Sequence, residues 1–225
     1  RSNLNWIALD LSLKLAACTT VILLPIGIFV GRYLAWQSFR GKIFVEAALA
    51  LPLVLPPTVL GFYMLVAFGG DSALGQMYQS LVGRSLAFSF DGLVAASVIF
   101  NLPFAIQPMQ RAFEGIGADV REAAACCGMS RWRILWRIEL PLAWPGILSA
   151  LVLSFAHTIG EFGIVLMVGG NIPGETQTIA IAIYDRVQLF DNASAGLMSA
   201  VLLLISMVAI SATYFTTSLV GRKND

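Results

Sequence analysis

One polar stretch runs Val120-Arg121-Glu122-Ala123-Ala124-Ala125-Cys126-Cys127-Gly128-Met129-Ser130-Arg131-Trp132-Arg133-Ile134-Leu135-Trp136-Arg137-Ile138-Glu139-Leu140-Pro141. This is a charged, helix-forming island between two apolar stretches. Ala123 to Cys127 are small residues that suit a helix, and Gly128 is a natural residue to end one. Ser130 can cap the next helix. That second helix is predicted to place Trp132, Leu135 and Trp136 on one apolar face and Arg133 and Arg137 on another. Pro141 is expected to stop it. Three uses are open to such a device. It could lie on a membrane surface with Trp and Arg at headgroup level. It could be a helix-turn-helix for DNA. It could insert in a partner's groove.

Composition narrows the choice. Of 225 residues, 58% are hydrophobic and 12% charged, and the mean hydropathy is +0.80. Soluble domains carry roughly 25% charged residues, so the deficit places the chain in a membrane class. A net charge of +1 leaves no basic reservoir for nucleic acid, and no nucleic-acid partner is expected. Cys18, Cys126 and Cys127 show no metal-ligand spacing, so reduced thiols and no metal site are the expectation. The first apolar run is too long for a signal-peptide core, and no small-x-small cleavage pattern follows it.

Five stretches have the roughly 20 apolar residues that a bilayer crossing needs. They are predicted at about 11–35, 43–68, 92–112, 145–168 and 193–220. Residues 1–225 then form a single all-α transmembrane domain with its main polar loop at about 113–144. Asp10 is placed to cap the first span, and Lys14 can snorkel to the interface. Ten of the fourteen Lys and Arg fall on one side: Arg32, Arg40, Lys42, Arg111, Arg121, Arg131, Arg133, Arg137, Arg222 and Lys223. The other side holds Arg1, Arg84 and Arg186 together with Asp10, Asp71, Asp91, Glu175, Asp185 and Asp191. Basic residues mark the cytoplasmic side. The N-terminus is therefore predicted outside, and the island and C-terminus inside. Two outer connections carry amphipathic patterns: Met77, Tyr78, Leu81 and Val82 in one, and Ile179, Ile183, Val187 and Phe190 in the other.

Inside the spans the polar residues are few and placed. Pro56 and Pro57 in Leu51-Pro52-Leu53-Val54-Leu55-Pro56-Pro57-Thr58 remove two helical donors. In lipid such a break is tolerated where protein or a water-filled cavity meets the freed groups. The stretch reads either as a plain kink or as the lining of a pathway, with Thr58 as a polar group. Asn101, Pro103, Gln107 and Pro108 make the third span polar, and it is expected to be broken near its middle. His157 and Glu161 are four apart in the fourth span. They are expected on one helical face as a hydrogen-bonded pair, since an intramembrane ionisable residue is a functional candidate by default.

The island's spacing is Glu-Ala-Ala, three residues, Gly, nine residues, Ile, one residue, Leu-Pro. It resembles the cytoplasmic loop of binding-protein-dependent ABC importer permeases. Gly160-Glu161-Phe162-Gly163 and Gly170-Asn171-Ile172-Pro173-Gly174-Glu175-Thr176 sharpen this. Together with the proline stretch and Phe88-Ser89-Phe90, they resemble the permease subunits of molybdate importers. Gly-Glu-Phe-Gly is shared with the related sulfate permeases. The resemblance implies the type I importer permease fold, with five spans and a periplasmic N-terminus. It implies a bacterial inner-membrane homodimer carrying molybdate, and tungstate with it. Two cytoplasmic ATPase subunits would bind the ATP, so the chain needs no cofactor and is not an enzyme. A periplasmic molybdate-binding protein would dock outside. Glu122, Ala123, Ala124, Gly128, Leu140 and Pro141 would couple to the ATPase, with Pro56, Pro57, Thr58, Asn101, His157 and Glu161 as pathway candidates. One position departs from the resemblance: such permeases usually carry Arg where this chain has His157. No Walker A, His-Glu-x-x-His or Gly-x-Ser-x-Gly pattern occurs. The alternatives are a sulfate or thiosulfate permease, and a membrane-embedded enzyme using His157 and Glu161.

Overall fold

Among the described residues every regular element is helical. Hydrocarbon enforces this, because a backbone there must satisfy its own N–H and C=O groups. The computed structural model describes the backbone of residues 4–221 and side chains as far as residue 211. Arg1, Arg222 and Lys223, which entered the charge bias, lie outside the described residues.

Helix α1 (Trp6–Trp36) begins a turn before its apolar stretch. Asn5 Oδ1 accepts from the Ala8 N–H at 3.1 Å, so the cap is Asn5 and not Asp10. A helix extends until a short polar side chain can take over its orphan donors. Asp10 lies inside the helix and pairs with Lys14 at 2.6 Å.

The second apolar stretch is not one helix. Helices α2 (Lys42–Val54) and α3 (Pro57–Phe68) meet at 109°. Leu55 and Pro56 between them are extended, with ψ of 137° and 135°. Each precedes a proline, whose ring drives the residue before it out of the helical region. Helix α4 (Ala73–Val82) occupies the first amphipathic connection, capped by Ser72 Oγ on the Gly75 N–H at 2.8 Å.

Helix α5 (Phe90–Glu114) passes through Pro103 and Pro108 without a break, which corrects the expectation of a broken third span. It is flanked along its length by other helices, and neighbouring helices tolerate membrane prolines by holding the backbone in place. Then follow α6 (Ala118–Cys126), α7 (Arg131–Ile134), a π-helical turn (Leu135–Glu139) and α8 (Leu140–Gly160). Pro141 does not stop this helix. The Leu140 N–H bonds to Leu135 O, one residue farther than in an α-helix. The π turn absorbs an extra residue there, and Pro141 falls in the first turn of α8. The expected apolar face is also divided: Leu135 is buried, whereas Trp132 and Trp136 are exposed.

The chain closes with α9 (Gly163–Gly169), α10 (Ile179–Gln188) in the second amphipathic connection, and α11 (Asn192–Gly221). Four helical runs are long and apolar enough to cross a membrane: Trp6–Trp36, Phe90–Glu114, Arg131–Gly160 and Asn192–Ser211. The bent α2–α3 pair makes up to five.

Helices α1, α5 and α8 form the centre. Gly27 and Gly31 of α1 lie against α5. A Cβ on Gly27 would stand 2.6 Å from Met109 Sδ, and one on Gly31 would stand 3.0 Å from the Gln110 backbone nitrogen. Small residues four apart let membrane helices approach where lipid supplies no hydrophobic drive. Met109, Phe113, Ile147 and Ala150 fill the buried seam between α5 and α8. Ser12 ties α10 to α1, accepting from the Ile179 N–H at 2.8 Å and donating to Ala8 O at 2.9 Å.

Candidate functional site

Two regions carry the sequence-singled residues: the polar loop, and a pair of helix breaks beside Asn101.

In the loop, α6 ends as its sequence requires. Gly128 has φ +75°. Its N–H bonds to Ala125 O at 2.9 Å, and the Met129 N–H bonds to Ala124 O at 3.2 Å. That pair of bonds closes a helix with a left-handed residue. Ser130 Oγ then caps α7, accepting from the Arg133 N–H at 3.4 Å. Glu122 and Ala123 are exposed while Ala124 is buried, so α6 rests on Ala124 and offers its acidic side outward. Leu140 is half-buried and Pro141 exposed, a full helix away from Glu122.

The loop is clamped to α1 by groups that spacing did not reveal. Arg32 Nε donates to Glu139 Oε2 at 2.6 Å and an Arg32 terminal nitrogen donates to Glu139 Oε1 at 3.2 Å. Glu139 is 1% exposed. The Arg121 guanidinium lies 3.8 Å over the Trp36 ring, and Trp36 meets Phe113 edge-on at 5.6 Å. These contacts join α6 and the π turn each to α1.

In the apolar interior, Asn101 Nδ2 donates to Ser97 O at 2.8 Å and to Thr158 Oγ1 at 3.1 Å. His157 Nδ1 meets Asn101 Oδ1 at 3.1 Å. An amide oxygen can only accept, so Nδ1 carries the proton. Nε2 of a neutral His157 is then an acceptor. The imidazole is further held by Phe100 and Phe104, with ring centroids 5.0 and 4.1 Å away.

The expected His157–Glu161 pair does not form. Helix α8 ends at Gly160, and Glu161 is extended with ψ 131°, so the two do not share a helical face. Glu161 instead accepts the Ile164 N–H at 3.0 Å in the first turn of α9. This second break lies beside the first: a Cβ on Gly163 would stand 3.0 Å from Pro57 Cβ, and one on Gly61 would stand 2.9 Å from Met167 Cβ. Pro56, Pro57 and Thr58 are exposed. The structure therefore joins Pro57 to the Glu161 turn, and Asn101 to His157 and Thr158. Thr158 was missed: one hydroxyl in an apolar run gives no signal until its α5 partner is known.

Residues 24–224 match the model of the binding-protein-dependent transport system inner membrane component family. The chain belongs to that family. It is therefore a membrane component of a transporter and not itself an enzyme. The molybdenum transport system permease protein ModB of Azotobacter vinelandii is 46% identical to the permease over 92% of both chains. That of Escherichia coli K12 is 39% identical over 82% of this chain and 80% of its own. A probable sulfate transport system permease of Chlorokybus atmophyticus is 31% identical over 85% of this chain and 68% of its own. Among solved structures, a bacterial ABC transporter involved in import of the acidic polysaccharide alginate superposes with TM-score 0.71. It covers 96% of this chain and 78% of its own at 19% identity. The inward-facing MetNI methionine ABC transporter superposes with TM-score 0.68 at 17% identity, covering 96% and 93%. The fold is that of ABC importer permeases of type I.

Proposed function

We propose that the permease is the membrane-spanning subunit of an ATP-driven molybdate importer, carrying tungstate as well. The observation that carries this is the 46% identity to a molybdenum transport permease over almost the whole chain. The permease sits in the bacterial inner membrane with the polar loop and C-terminus in the cytoplasm and the N-terminus outside. Its charge bias supports this orientation.

Two copies enclose the pathway about a two-fold axis. Two cytoplasmic ATPase subunits bind the ATP, and the permease needs no cofactor. Helix α6 enters the ATPase with Glu122 and Ala123 outermost, and Gly128 permits the sharp exit. Leu140 and Pro141 begin the span that carries the movement inward. A periplasmic molybdate-binding protein docks on the side of α4 and α10.

The cargo is a tetrahedral dianion. A pathway for it needs hydrogen-bond donors without a deep cationic trap. The adjoining breaks at Pro56-Pro57 and Gly160 to Gly163 interrupt the helices beside Thr58, whose hydroxyl can donate to an oxyanion. Asn101 fixes His157, whose Nε2 offers a donor only when the ring is doubly protonated.

The test is uptake of labelled molybdate by vesicles holding the full transporter, supplied with binding protein and internal ATP. Accumulation that excess sulfate fails to suppress supports the reading. Equal suppression by sulfate overturns the cargo and leaves a sulfate permease.

A further inference from the structure

At the base of the loop lies a cavity of about 460 Å³ lined chiefly by Arg32, Trp36, Arg121, Arg131 and Glu139. Its charges do not balance. Glu139 is its one carboxylate, and both of its oxygens are taken by Arg32. Among the described residues, neither Arg121 nor Arg131 has a carboxylate within ion-pair distance. The Arg121 Nε is buried without a hydrogen-bond acceptor, although its guanidinium is stacked on Trp36. Two uncompensated guanidinium groups thus meet in one cavity.

The rim says what faces it. Phe29 and Tyr33, 51% and 55% exposed, continue the exposed apolar stripe of α1 that includes Val21 and Ile22. Trp132, 62% exposed, stands beside them, edge-on to Phe29 at 6.3 Å. Exposed Trp and Tyr at the end of a spanning helix mark the headgroup level of a bilayer. A basic pocket at that level, walled by spanning helices, suits an anionic lipid headgroup. Guanidinium groups bind phosphate in a fork geometry that an ammonium cannot offer.

We propose that this cavity holds the phosphate of an anionic glycerophospholipid, bound by Arg121 and Arg131 with the acyl chains laid along Phe29 and Tyr33. The lipid would brace α6 against α1 beside the Arg32–Glu139 pair. The proposal rests on the membrane placement of the proposed function and not on its cargo. Its readout is bound lipid, which does not depend on what is transported.

The test is native mass spectrometry of the intact transporter, permease with ATPase, after exchange into micelles with equal phosphatidylglycerol and phosphatidylcholine. The expected result is phosphatidylglycerol retained in preference to phosphatidylcholine. The double variant Arg121→Gln with Arg131→Gln should bind it about 30-fold more weakly and Arg131→Gln alone about fivefold, at roughly one surface-charge interaction per arginine. Arg131 is exposed, so its single variant tests the site without disturbing the fold. Inorganic phosphate in excess should not displace the lipid. Equal retention of the two lipids overturns the proposal, as does unchanged retention in Arg131→Gln. Displacement by inorganic phosphate also overturns it, in favour of a soluble-anion site.

Discussion

Pro57 and Gly163 face each other across two broken helices, so closely that a Cβ on Gly163 would stand 3.0 Å from Pro57 Cβ. The breaks come from unrelated causes. One arises where two prolines force Leu55 and Pro56 into extended backbone. The other arises where α8 ends at Gly160 and α9 restarts at Gly163. Their meeting brings two interruptions of the helical ladder to one place in the membrane interior.

This contact makes glycines of equal type unequal in effect. A Cβ on Gly61 would meet Met167 Cβ at 2.9 Å and Ile164 Cα at 3.3 Å, whereas one on Gly160 meets nothing within 4 Å. Gly61→Ala should destabilise the detergent-purified permease by about 1–3 kcal/mol through overpacking. Gly160→Ala should stay within about 0.5 kcal/mol of the parent. Thermal melts of the two variants check this, and equal melting points would remove the close α3–α9 contact from the account.

Asn101 holds two α8 side chains at once. Asn101→Ala leaves His157 Nδ1 without its acceptor and Thr158 Oγ1 without its donor. The expected loss is about 1–3 kcal/mol, the cost of stranding buried polar groups. Thr158→Val should cost less, because Asn101 Nδ2 keeps its bond to Ser97 O. The ranking of the two melts is the measurement.

Arg32 and Glu139 should behave as a unit. With Glu139 buried and the Arg32 side chain 31% exposed, removing either partner should cost about 3 kcal/mol, the low end for a buried pair. The double variant Arg32→Gln with Glu139→Gln should cost clearly less than the sum of the singles. Additive losses would show that the two do not communicate.

Asp191 should confer a pH dependence outside the spans. The Ser194 hydroxyl and backbone N–H, with Arg186 nearby, hold its carboxyl below the usual carboxylate range. A depressed folded-state value stabilises above the unfolded value, near pH 4, and the benefit is lost as pH falls through the folded value. Melts taken from neutral to acid pH should therefore fall more steeply for the parent than for Asp191→Asn. Parallel curves would show that Asp191 carries no such linkage.

Local signals in the sequence survived into the structure, and distant ones did not. Gly128 and Ser130 could be read because a left-handed helix end and a hydroxyl cap involve only neighbouring residues. Pro56-Pro57 was legible as a break for the same reason. The pairs Arg32–Glu139 and Asn101–His157 lie 107 and 56 positions apart, and no periodicity encodes such a meeting. Pro141 was expected to stop a regular α-helix, but a π turn at Leu135–Glu139 places it in the first turn of α8, where a proline is tolerated. The His157–Glu161 spacing assumed an uninterrupted 3.6-residue register, which Gly160 ended one residue before Glu161.

The central claim is that ATP hydrolysis reaches the pathway through α6. ATP hydrolysis and molybdate uptake should be measured together in vesicles holding the full transporter with Glu122→Ala or Gly128→Val permease. Gly128 has open space around it but φ +75°, so a side chain there strains the turn by roughly 1–2 kcal/mol without a clash. The account expects both variants to insert in the membrane, to retain less ATPase on purification and to lose ATP-driven uptake. Uptake per ATP equal to that of the parent in both variants would contradict it.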